Sequence, residues 1–453
     1  MPSSTSVRVL FLPALPGTRT PNQVEPATVV AGRKVRCVME VVHPRCAGID
    51  ISKRDAKVCI RIQGSSGRKT SSTVTTWGAM TNQILALREH LAAQQVTVVV
   101  MESTSDYWRP LYYLLEADFQ ILLVNARDVK NVPGRKTDVS DAAWLADLGA
   151  HGLLRASFVP PEPIRQLRDL TRARTHITAE RSREVQRLEK QLEDSGIKLS
   201  SVATDITGMS GRLMLQALID SQGAADPAVI ADLAKRRMRS KIPVLTEALN
   251  GRFTAHHAFM TRFYLDRIDA HTRDIAALSE RIDELMKPFL PARDLLESIP
   301  GFSQILAEIF IAETGGDMTQ FPTAGHLASW AGVSPGSNES AGRVKSTKTR
   351  PGNRYLKGAL GIAALSAARS KSTYFAAKYR RLASTRGPMK ALVAVEHAIL
   401  IAAWNMLTNS EFYRDPGGDY FTRHDPTKTK ARAVKQLEAL GYDVTLQPAV
   451  QAG

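Results

Sequence analysis

Short apolar runs alternate with segments of helical period between residues 46 and 150. A strand sends successive side chains to opposite faces and a helix repeats about every 3.6 residues, so the two patterns can be separated. The apolar runs predict strands at 47–51, 57–62, 72–76, 96–101 and 120–124. The segments between them predict helices at 79–93, 106–116 and 138–148.

The run at 96–101 is the most informative of these strands. Most of its residues are β-branched and Thr97 is its only polar member, which is typical of a strand buried on both faces in an α/β sheet. The order β-β-β-α-β-α-β-α is similar to that of the ribonuclease-H-like fold. We therefore predict an α/β domain of this class over residues 39–160.

Residues 161–290 are highly charged and carry a heptad repeat. The repeat predicts a coiled-coil hairpin or a helical dimerisation arm, interrupted by a less regular insertion at 196–235. Ordinary amphipathic helices in a bundle fit the same periodicity. The repeat positions are Ile268, Ile275, Ile282 and Phe289, with His271, Leu278 and Leu285 in the second seam. The candidate partner strip is Leu167, Leu170, Ile177, Leu188 and Leu192.

Residues 291–410 predict a second, mainly helical domain. The turn Pro300-Gly301 between two apolar segments is typical of a helix-hairpin-helix element, which offers backbone N–H groups to a phosphate. Any helical hairpin gives the same pattern. A polar loop is expected at 331–353. Helices are expected after it, at 355–368 and 388–407.

The two ends of the chain lack a sustained period. Residues 1–38 are rich in Pro, Ser, Thr, Arg and Val and predict a disordered leader. Because Met39 begins the segment that enters the first strand, we expect Met39 to be the biological start. The tail at 411–453 is polar, and the sequence assigns it no role.

Composition adds a strong positive charge to this picture. The 60 Lys and Arg residues against 44 Asp and Glu residues give a net charge of +16 and a pI near 9.8. Such a surface attracts polyanions, of which nucleic acid is the commonest, although a basic enzyme without such a partner has the same composition.

The positive charge is concentrated in residues 343–390, which contain 13 basic residues and no acidic one. This bias predicts a nucleic-acid surface whose affinity falls with salt. Tyr355, Tyr374 and Tyr379 lie in the same stretch and either stack on bases or belong to the core. The candidate nucleic-acid-binding residues are Arg343, Lys345, Lys348, Arg350, Arg354, Lys357, Lys378, Arg380 and Arg381.

Cysteine usage and hydropathy predict a cytoplasmic protein. The three cysteines, Cys37, Cys46 and Cys59, contain no CxxC pair, so we expect reduced thiols and no zinc site. The apolar stretch 392–407 is interrupted by polar residues and is too short to span a bilayer, so we interpret it as a buried helix and expect no membrane.

Four carboxylates occupy positions at which chemistry is expected. Asp50 ends the first apolar run and Glu102 ends the run at 96–101, while Asp138 and Asp141 lie three residues apart at a helix start. In a ribonuclease-H-like sheet these positions converge on one edge. Carboxylates gathered there repel each other unless cations neutralise them, so we predict two Mg²⁺ ions roughly 4 Å apart.

Structural roles for the same carboxylates remain open from the sequence. Asp138 fits an N-cap, and Asp141 in a first helical turn favours the helix dipole. Glu102 fits an ion pair with Arg109.

The motifs around these residues resemble a known family. Gly48-Ile49-Asp50, Met101-Glu102-Ser103-Thr104 and the segment 136–142 resemble the DEDD signature of the one-ten/one-sixteen family of insertion-sequence transposases. The C-terminal motifs resemble the transposase domain of the same family. They are the segments 298–301, 331–335, 339–340 and 352–354, together with Phe321.

The resemblance implies more than the residues show. It implies a RuvC-like domain that holds Mg²⁺ at Asp50, Glu102, Asp138 and Asp141, and a serine that forms a covalent phosphoserine link with DNA. The matching serine is Ser340, and Arg343, Lys345 and Lys348 are placed to stabilise the charge that develops during its attack. The resemblance also implies donor and target DNA, a structured bridge RNA as guide, and a dimer or tetramer. Ala341 departs from the Ser-Gly that some members carry here.

Two other functions fit the sequence. A structure-specific, junction-resolving nuclease uses the two metals and water, with no protein–DNA bond. A catalytically inactive nucleic-acid-binding protein needs neither the carboxylates nor Mg²⁺.

Overall fold

A five-stranded sheet forms the centre of the N-terminal unit of this computed structural model, which describes residues 40–64, 69–130, 132, 140–336 and 338–447. The leader, Met39, Cys37 and Asp138 lie outside the described residues. The chain divides after Val159 into an α/β unit and a helical unit that begins at Pro160.

The strands of the first unit follow the predicted runs closely. They are β1 Arg45–Ile51, β2 Asp55–Ile62, β3 Ser71–Gly78, β4 Val98–Glu102 and β5 Gln120–Val124. The spatial order is β3-β2-β1-β4-β5. The hairpin pairs β1-β2 and β2-β3 are antiparallel, whereas β4 is parallel to both β1 and β5. The carboxyl ends of β1 and β4 therefore meet at one edge.

Helices cover both faces of this sheet. They are α1 Thr81–Ala93, α2 Trp108–Leu115, α3 Ala126–Lys130 and α4 Asp141–Ala150. Ala47 and Ile49 of β1 face a core that includes α1 and α2, whereas Cys46 faces the core that includes α4. Cys46 and Cys59 are buried free thiols, as predicted, and burial raises the pKa of Cys46 to about 12.

The second unit is mostly helical, with one small strand pair. Its first half contains α5 Glu162–Asp194, α6 Leu199–Val202, α7 Met209–Asp220, α8 Pro227–Ala231, α9 Ile242–Ala248 and α10 Ala255–Met286. Its second half contains α11 Leu290–Glu297, α12 Gln304–Thr314, α13 Ala324–Ala331, β6 Asn338–Ser340, β7 Arg343–Ser346, α14 Arg354–Arg369, α15 Tyr374–Arg386, α16 Pro388–Asn409, α17 Tyr420–His424 and α18 Pro426–Glu438.

The long helices α5 and α10 form an antiparallel hairpin, which is one of the arrangements that fit the heptad pattern. Arg181 of α5 contacts Thr272 of α10, and Asp194 contacts His257, so residue numbers rise along one helix as they fall along the other. Apolar residues of both helices join one core at each end of the hairpin, while Arg174 and Glu184 are buried polar residues between those cores. The partner of α10 is thus a helix of the same chain.

The apolar helix α16 runs through the core of the second half. Val395, Ile399, Leu400 and Ala403 are fully buried there. This helix is the one described segment long and apolar enough to cross a membrane, and 39% of its most apolar window is buried in the unit. One face of the helix thus packs in the core, as predicted, and the rest of its surface is less buried.

Candidate functional site

Helix α4 packs directly on strand β1 because Gly48 has no side chain. A Cβ atom at Gly48 would lie 2.2 Å from the carbonyl oxygen of Ala142 and 2.4 Å from the amide nitrogen of Ala146. Glycine is therefore required for this approach of helix to strand. The contact fixes the start of α4 beside the end of β1.

Asp50 and Glu102 lie on the face of the sheet that α4 covers. Side chains alternate along a strand, and Asp50 follows Gly48 by two residues, as Glu102 follows the α4-facing Val100. The parallel register pairs Ile49 with Met101, so the two carboxylates lie one residue beyond that pair on neighbouring strands.

Asp141 approaches the same edge from α4. It is the first residue of the helix, and Ser140 is the N-cap, whose hydroxyl accepts a hydrogen bond from the amide of Ala143 at 3.3 Å. The pKa of Asp50 is raised, first by burial and then by the negative charge of Asp141. The packing of α4 on β1 at Gly48 brings the start of α4 toward the strand end that carries Asp50.

The carboxylate edge, which we define as Asp50, Glu102 and Asp141, offers the oxygen ligands that Mg²⁺ prefers. Within the described residues, no three His, Cys, Asp or Glu side chains are close enough together to hold a metal ion. The fourth member of the predicted set, Asp138, lies outside those residues. Arg109, the alternative partner of Glu102, forms its ion pair with Asp106.

Ser340 lies in the second unit, on a two-stranded ribbon where the sequence predicted only a loop. The ribbon consists of β6 and β7, and Ser340 pairs with Arg343 across a two-residue turn. Ala341 and Gly342 adopt φ values of 50° and 73°, as the mirror-image turns of tight hairpins require. Ala341 thus takes a backbone conformation that L-residues rarely adopt and keeps the turn short.

Ser340 is exposed, and cations share its face of the ribbon. Arg343 is its cross-strand neighbour, and Lys345 follows two residues later on the same face. Both side chains are exposed, as are Lys348 and Arg350 in the loop that follows β7. A phosphate that reaches the hydroxyl of Ser340 therefore meets positive charge.

The ribbon projects from a closed base. A Cβ atom at Gly332 would lie 2.8 Å from the amide nitrogen of Gly352, and one at Gly352 would lie 2.4 Å from the amide nitrogen of Gly332. The two ends of the loop can approach this closely only because neither residue has a side chain. The amide of Asn353 also donates to the carbonyl of Trp330 at 3.3 Å.

A buried charge network supports that base. Glu313 is 0% exposed, and its carboxylate accepts two hydrogen bonds from Arg172, at 2.7 and 2.8 Å, and one from Asn353, at 2.6 Å. Asn353 in turn caps α14 by accepting hydrogen bonds from the amides of Tyr355 and Leu356. Glu313 thus links helix α5, through Arg172, to the point at which the ribbon returns to the core.

The remaining candidate nucleic-acid contacts lie on α14 and α15. Arg354 is exposed, whereas Lys357 donates to the hydroxyl of Thr349 at 3.3 Å. Arg380 and Arg381 are exposed on α15. Lys378 is half-buried, and its pKa is lowered by burial and then by the charge of Arg381.

The three tyrosines in this region make contacts with other residues of the protein. Arg172 and Arg354 lie over the ring of Tyr355, 4.6 and 4.8 Å from its centroid. Tyr374 and Tyr379 pack against the core of the unit. Of the two interpretations open from the sequence, the contacts favour the structural one.

Comparison with known proteins separates the same two regions. A family model described as a transposase, of the DEDD type, matches residues 47–196. A second model, described as transposase of the IS116/IS110/IS902 family, matches residues 293–380. The chain belongs to this family of insertion-element transposases. The resemblance of the motifs to the one-ten/one-sixteen family is thereby confirmed.

Two relatives of this transposase cover most of its length. It is 28% identical over 402 residues to the uncharacterized 42 kDa protein of insertion element IS900 from Mycobacterium paratuberculosis, covering 82% of this chain and 98% of that protein. It is 27% identical over 372 residues to the uncharacterized 43.6 kDa protein of insertion element IS110 from Streptomyces coelicolor, covering 74% of this chain and 88% of that protein.

The two models divide the candidate residues of the transposase between them. The first spans the carboxylate edge, and the second spans the ribbon with Ser340. Glu313 and its partner Asn353 also lie within the second match. Sequence reasoning missed Glu313, although an acidic residue inside the apolar segment 304–314 was a visible signal.

Proposed function

We propose that this transposase cuts and rejoins DNA with a Mg²⁺-dependent carboxylate site and the hydroxyl of Ser340 as nucleophile, guided by a bridge RNA. The observation that carries the proposal is the pair of regions described above. One gathers carboxylates at a sheet edge, and the other displays a serine among cations. The strand order β3-β2-β1-β4-β5 supports a ribonuclease-H-like, RuvC-like class for the first unit.

Asp50, Glu102 and Asp141, with Asp138 outside the described residues, would hold the metal. Oxygen donors and a raised pKa at Asp50 fit a site that binds divalent cations, because bound charge relieves the repulsion between carboxylates. Mg²⁺ at such a site supplies charge neutralisation and orientation of a scissile phosphate. We propose that the site holds two Mg²⁺ ions, the number predicted from the sequence.

The serine step keeps the number of phosphoester bonds constant. The hydroxyl oxygen of Ser340 attacks a DNA phosphorus and forms a P–Oγ bond while one P–O bond of the strand breaks. The serine hydroxyl loses its proton, and the released sugar oxygen gains one. Attack by the hydroxyl of a second strand reverses these changes, frees Ser340 and leaves a rejoined strand. Arg343 and Lys345 stabilise the added charge on the phosphorane.

The other parts of the proposal follow the family resemblance. The donor and target are DNA, the guide is a structured RNA encoded by the element, and the working form is a cytoplasmic dimer or tetramer. We also propose the divisions at 39–160, 161–290 and 291–410 as functional domains, with helix-hairpin-helix character around Pro300-Gly301. The test of the guide is to sequence the RNA that co-purifies with the protein. An RNA that maps beside the gene of the protein would support the proposed guide.

The decisive experiment is Ser340→Ala with Ser346→Ala as its matched control on the same ribbon. Ser340→Ala is expected to abolish the covalent protein–DNA adduct, detected by mass spectrometry of a nuclease-treated complex, while DNA binding persists. Ser346→Ala is expected to keep the adduct. An adduct that survives Ser340→Ala excludes the serine mechanism.

The same experiment tests the junction-resolving nuclease as the second candidate. The carboxylate edge favours it independently of Ser340, since two metals and water suffice to cut a phosphodiester. In that case Asp50→Asn abolishes cleavage and Ser340→Ala does not. If neither variant changes the outcome with DNA, the protein is a binding protein without this chemistry.

A further inference from the structure

The C-terminal tail, to which the sequence assigned no role, forms one wall of a basic cleft. The cleft lies between α15 and the helices α17 and α18, and its volume is about 780 Å³. Five cationic side chains line it: Arg380, Arg381 and Arg386 from α15, and Lys428 and Arg432 from α18. We call this set the tail cleft.

Among the described residues, no carboxylate pairs with the cations of the tail cleft. All five side chains are exposed, and none forms an ion pair with a described residue. The one acidic lining residue, Asp425, accepts a hydrogen bond from the amide of Lys428 and so caps α18. A concave surface with this excess of positive charge attracts an anionic polymer.

The wall contributed by the tail is fixed to the core. Tyr413 stacks on the buried Phe375, and the amide of Gly418 donates to the carbonyl of Ser372 at 2.9 Å. Across the cleft, the guanidinium of Arg381 lies 4.2 Å from the ring centroid of Phe421. These contacts anchor the tail up to α17, and Lys428 and Arg432 of the following helix α18 line the same cleft as the cations of α15.

Hydroxyl groups lie between these cations. Ser384, Thr385, Thr422 and Thr429 also line the cleft. Guanidinium, ammonium and hydroxyl groups are the side-chain donors that contact DNA phosphates, and such contacts carry no base specificity. Asp425 is the one carboxylate that lines the cleft, so the cleft has few groups that could accept a hydrogen bond from the amino group of cytosine.

We propose that the tail cleft binds the phosphate backbone of DNA, at a site separate from the ribbon that carries Ser340. The inference rests on the tail and its cations and does not require Ser340 to be the nucleophile. Binding is independent of sequence and strengthens the grip of the transposase on its DNA.

The test compares two double variants of the full-length protein on the same exposed helix. Lys428→Ala/Arg432→Ala removes two cations that line the cleft, and Lys430→Ala/Lys435→Ala removes two from α18 that do not. The affinity for a short duplex DNA is measured by fluorescence anisotropy over a range of salt concentrations. A single-stranded RNA of the same length forms the second arm.

The cleft variant is expected to bind duplex DNA several-fold more weakly at low salt. Its plot of log affinity against log salt is expected to be shallower by about 2, because each lost phosphate contact reduces the slope by roughly 0.9. The control variant should keep the wild-type slope. Equal slopes for the two variants overturn the proposal, and so does a loss confined to the RNA arm. Adduct formation at Ser340 is scored separately, so a failed cleft and a failed serine mechanism are distinguishable.

Discussion

Asp50 and Ser340 each lie at or near the end of a β-strand, but the two strands are supported in different ways. Strand β1 is hydrogen-bonded on both sides and covered by α4. Strand β6 has one partner, and both strands of its ribbon are largely exposed. A lone two-stranded hairpin is marginally stable in water, so the position of Ser340 depends on the base of the ribbon.

The two candidate sites are therefore positioned by different kinds of structure. The carboxylate edge is positioned by the core of a sheet, which costs the fold electrostatic repulsion. The serine is positioned by an extended ribbon whose order comes from Glu313, Gly332 and Gly352 at its foot. We expect substitutions at the foot of the ribbon to leave the response of stability to Mg²⁺ unchanged.

The largest effect is expected from Glu313→Gln. The change leaves the guanidinium of Arg172 without its carboxylate partner, and breaking a buried ion pair costs about 3–5 kcal/mol. Because Arg172 is partly exposed, the lower end of that range is expected. Thermal unfolding measures the loss, and adduct formation at Ser340 should fall with it.

The matched control for that variant is Glu339→Gln, an exposed residue on the ribbon itself. It should change the midpoint of unfolding very little. Equal stability of the two variants would show that Glu313 does not support the ribbon.

A smaller effect is expected from Gly48→Ala. The new methyl group meets the backbone of α4 at 2.2 Å, and overpacking of this kind costs about 1–3 kcal/mol. Because α4 carries Asp141, the response of stability to Mg²⁺ should weaken as well. Calorimetry with and without Mg²⁺ measures both changes.

Gly358→Ala is the control, since a Cβ atom at this helical glycine meets nothing within 4 Å. It should raise stability by up to about 1 kcal/mol, the helix preference of alanine over glycine. A Gly48→Ala protein that unfolds like Gly358→Ala would contradict the close approach of α4 to β1.

The smallest effect is expected from Asp50→Asn in the absence of divalent metal. Burial and the charge of Asp141 raise the pKa of Asp50, so the folded state binds this proton more tightly than the unfolded state. The free energy of unfolding therefore falls as pH rises from the unfolded to the folded pKa, and it stays lowered above both. At neutral pH the Asn variant should be slightly more stable than the wild-type protein.

If the proposed site binds Mg²⁺, the metal should raise the Tm of the wild-type protein, and Asp50→Asn should lose this rise because the carboxylate ligand is gone. Asp106→Asn, which changes an exposed carboxylate of the same unit, should keep it. A Mg²⁺ response that survives in Asp50→Asn would remove Asp50 from the metal site.

The sequence predicted the sheet well because its signals are local. The apolar run at 96–101 and the alternation of side chains in β1 involve residues that are neighbours in the sequence, so they indicate buried strands without knowledge of distant contacts. All five strands lie where expected. The ends of those strands then placed Asp50 and Glu102 on one edge. The heptad pattern also indicated the long helices α5 and α10, but it left open whether they pair with each other, with a second copy or within a bundle.

The ribbon and its support were not visible in the same way. Asn338, Glu339 and Ser340 carry no apolar alternation, so β6 was predicted as loop. The role of Glu313 depends on Arg172, which is 141 residues away, and no local pattern encodes that contact. Helix α15 and the tail helices were likewise missed, since their exposed, charged surfaces carry little hydrophobic period.

The hairpin of α5 and α10 has a consequence for how this protein melts. Its apolar ends belong to separate cores, with Ile164 and Leu167 in one and Leu188 and Leu192 in the other. Because the stretch between them is polar, we expect the short helices at 197–254 to open while the opposite end of the hairpin stays folded. A heating curve of the whole chain should then contain overlapping transitions, and each substitution should report on the core in which it lies.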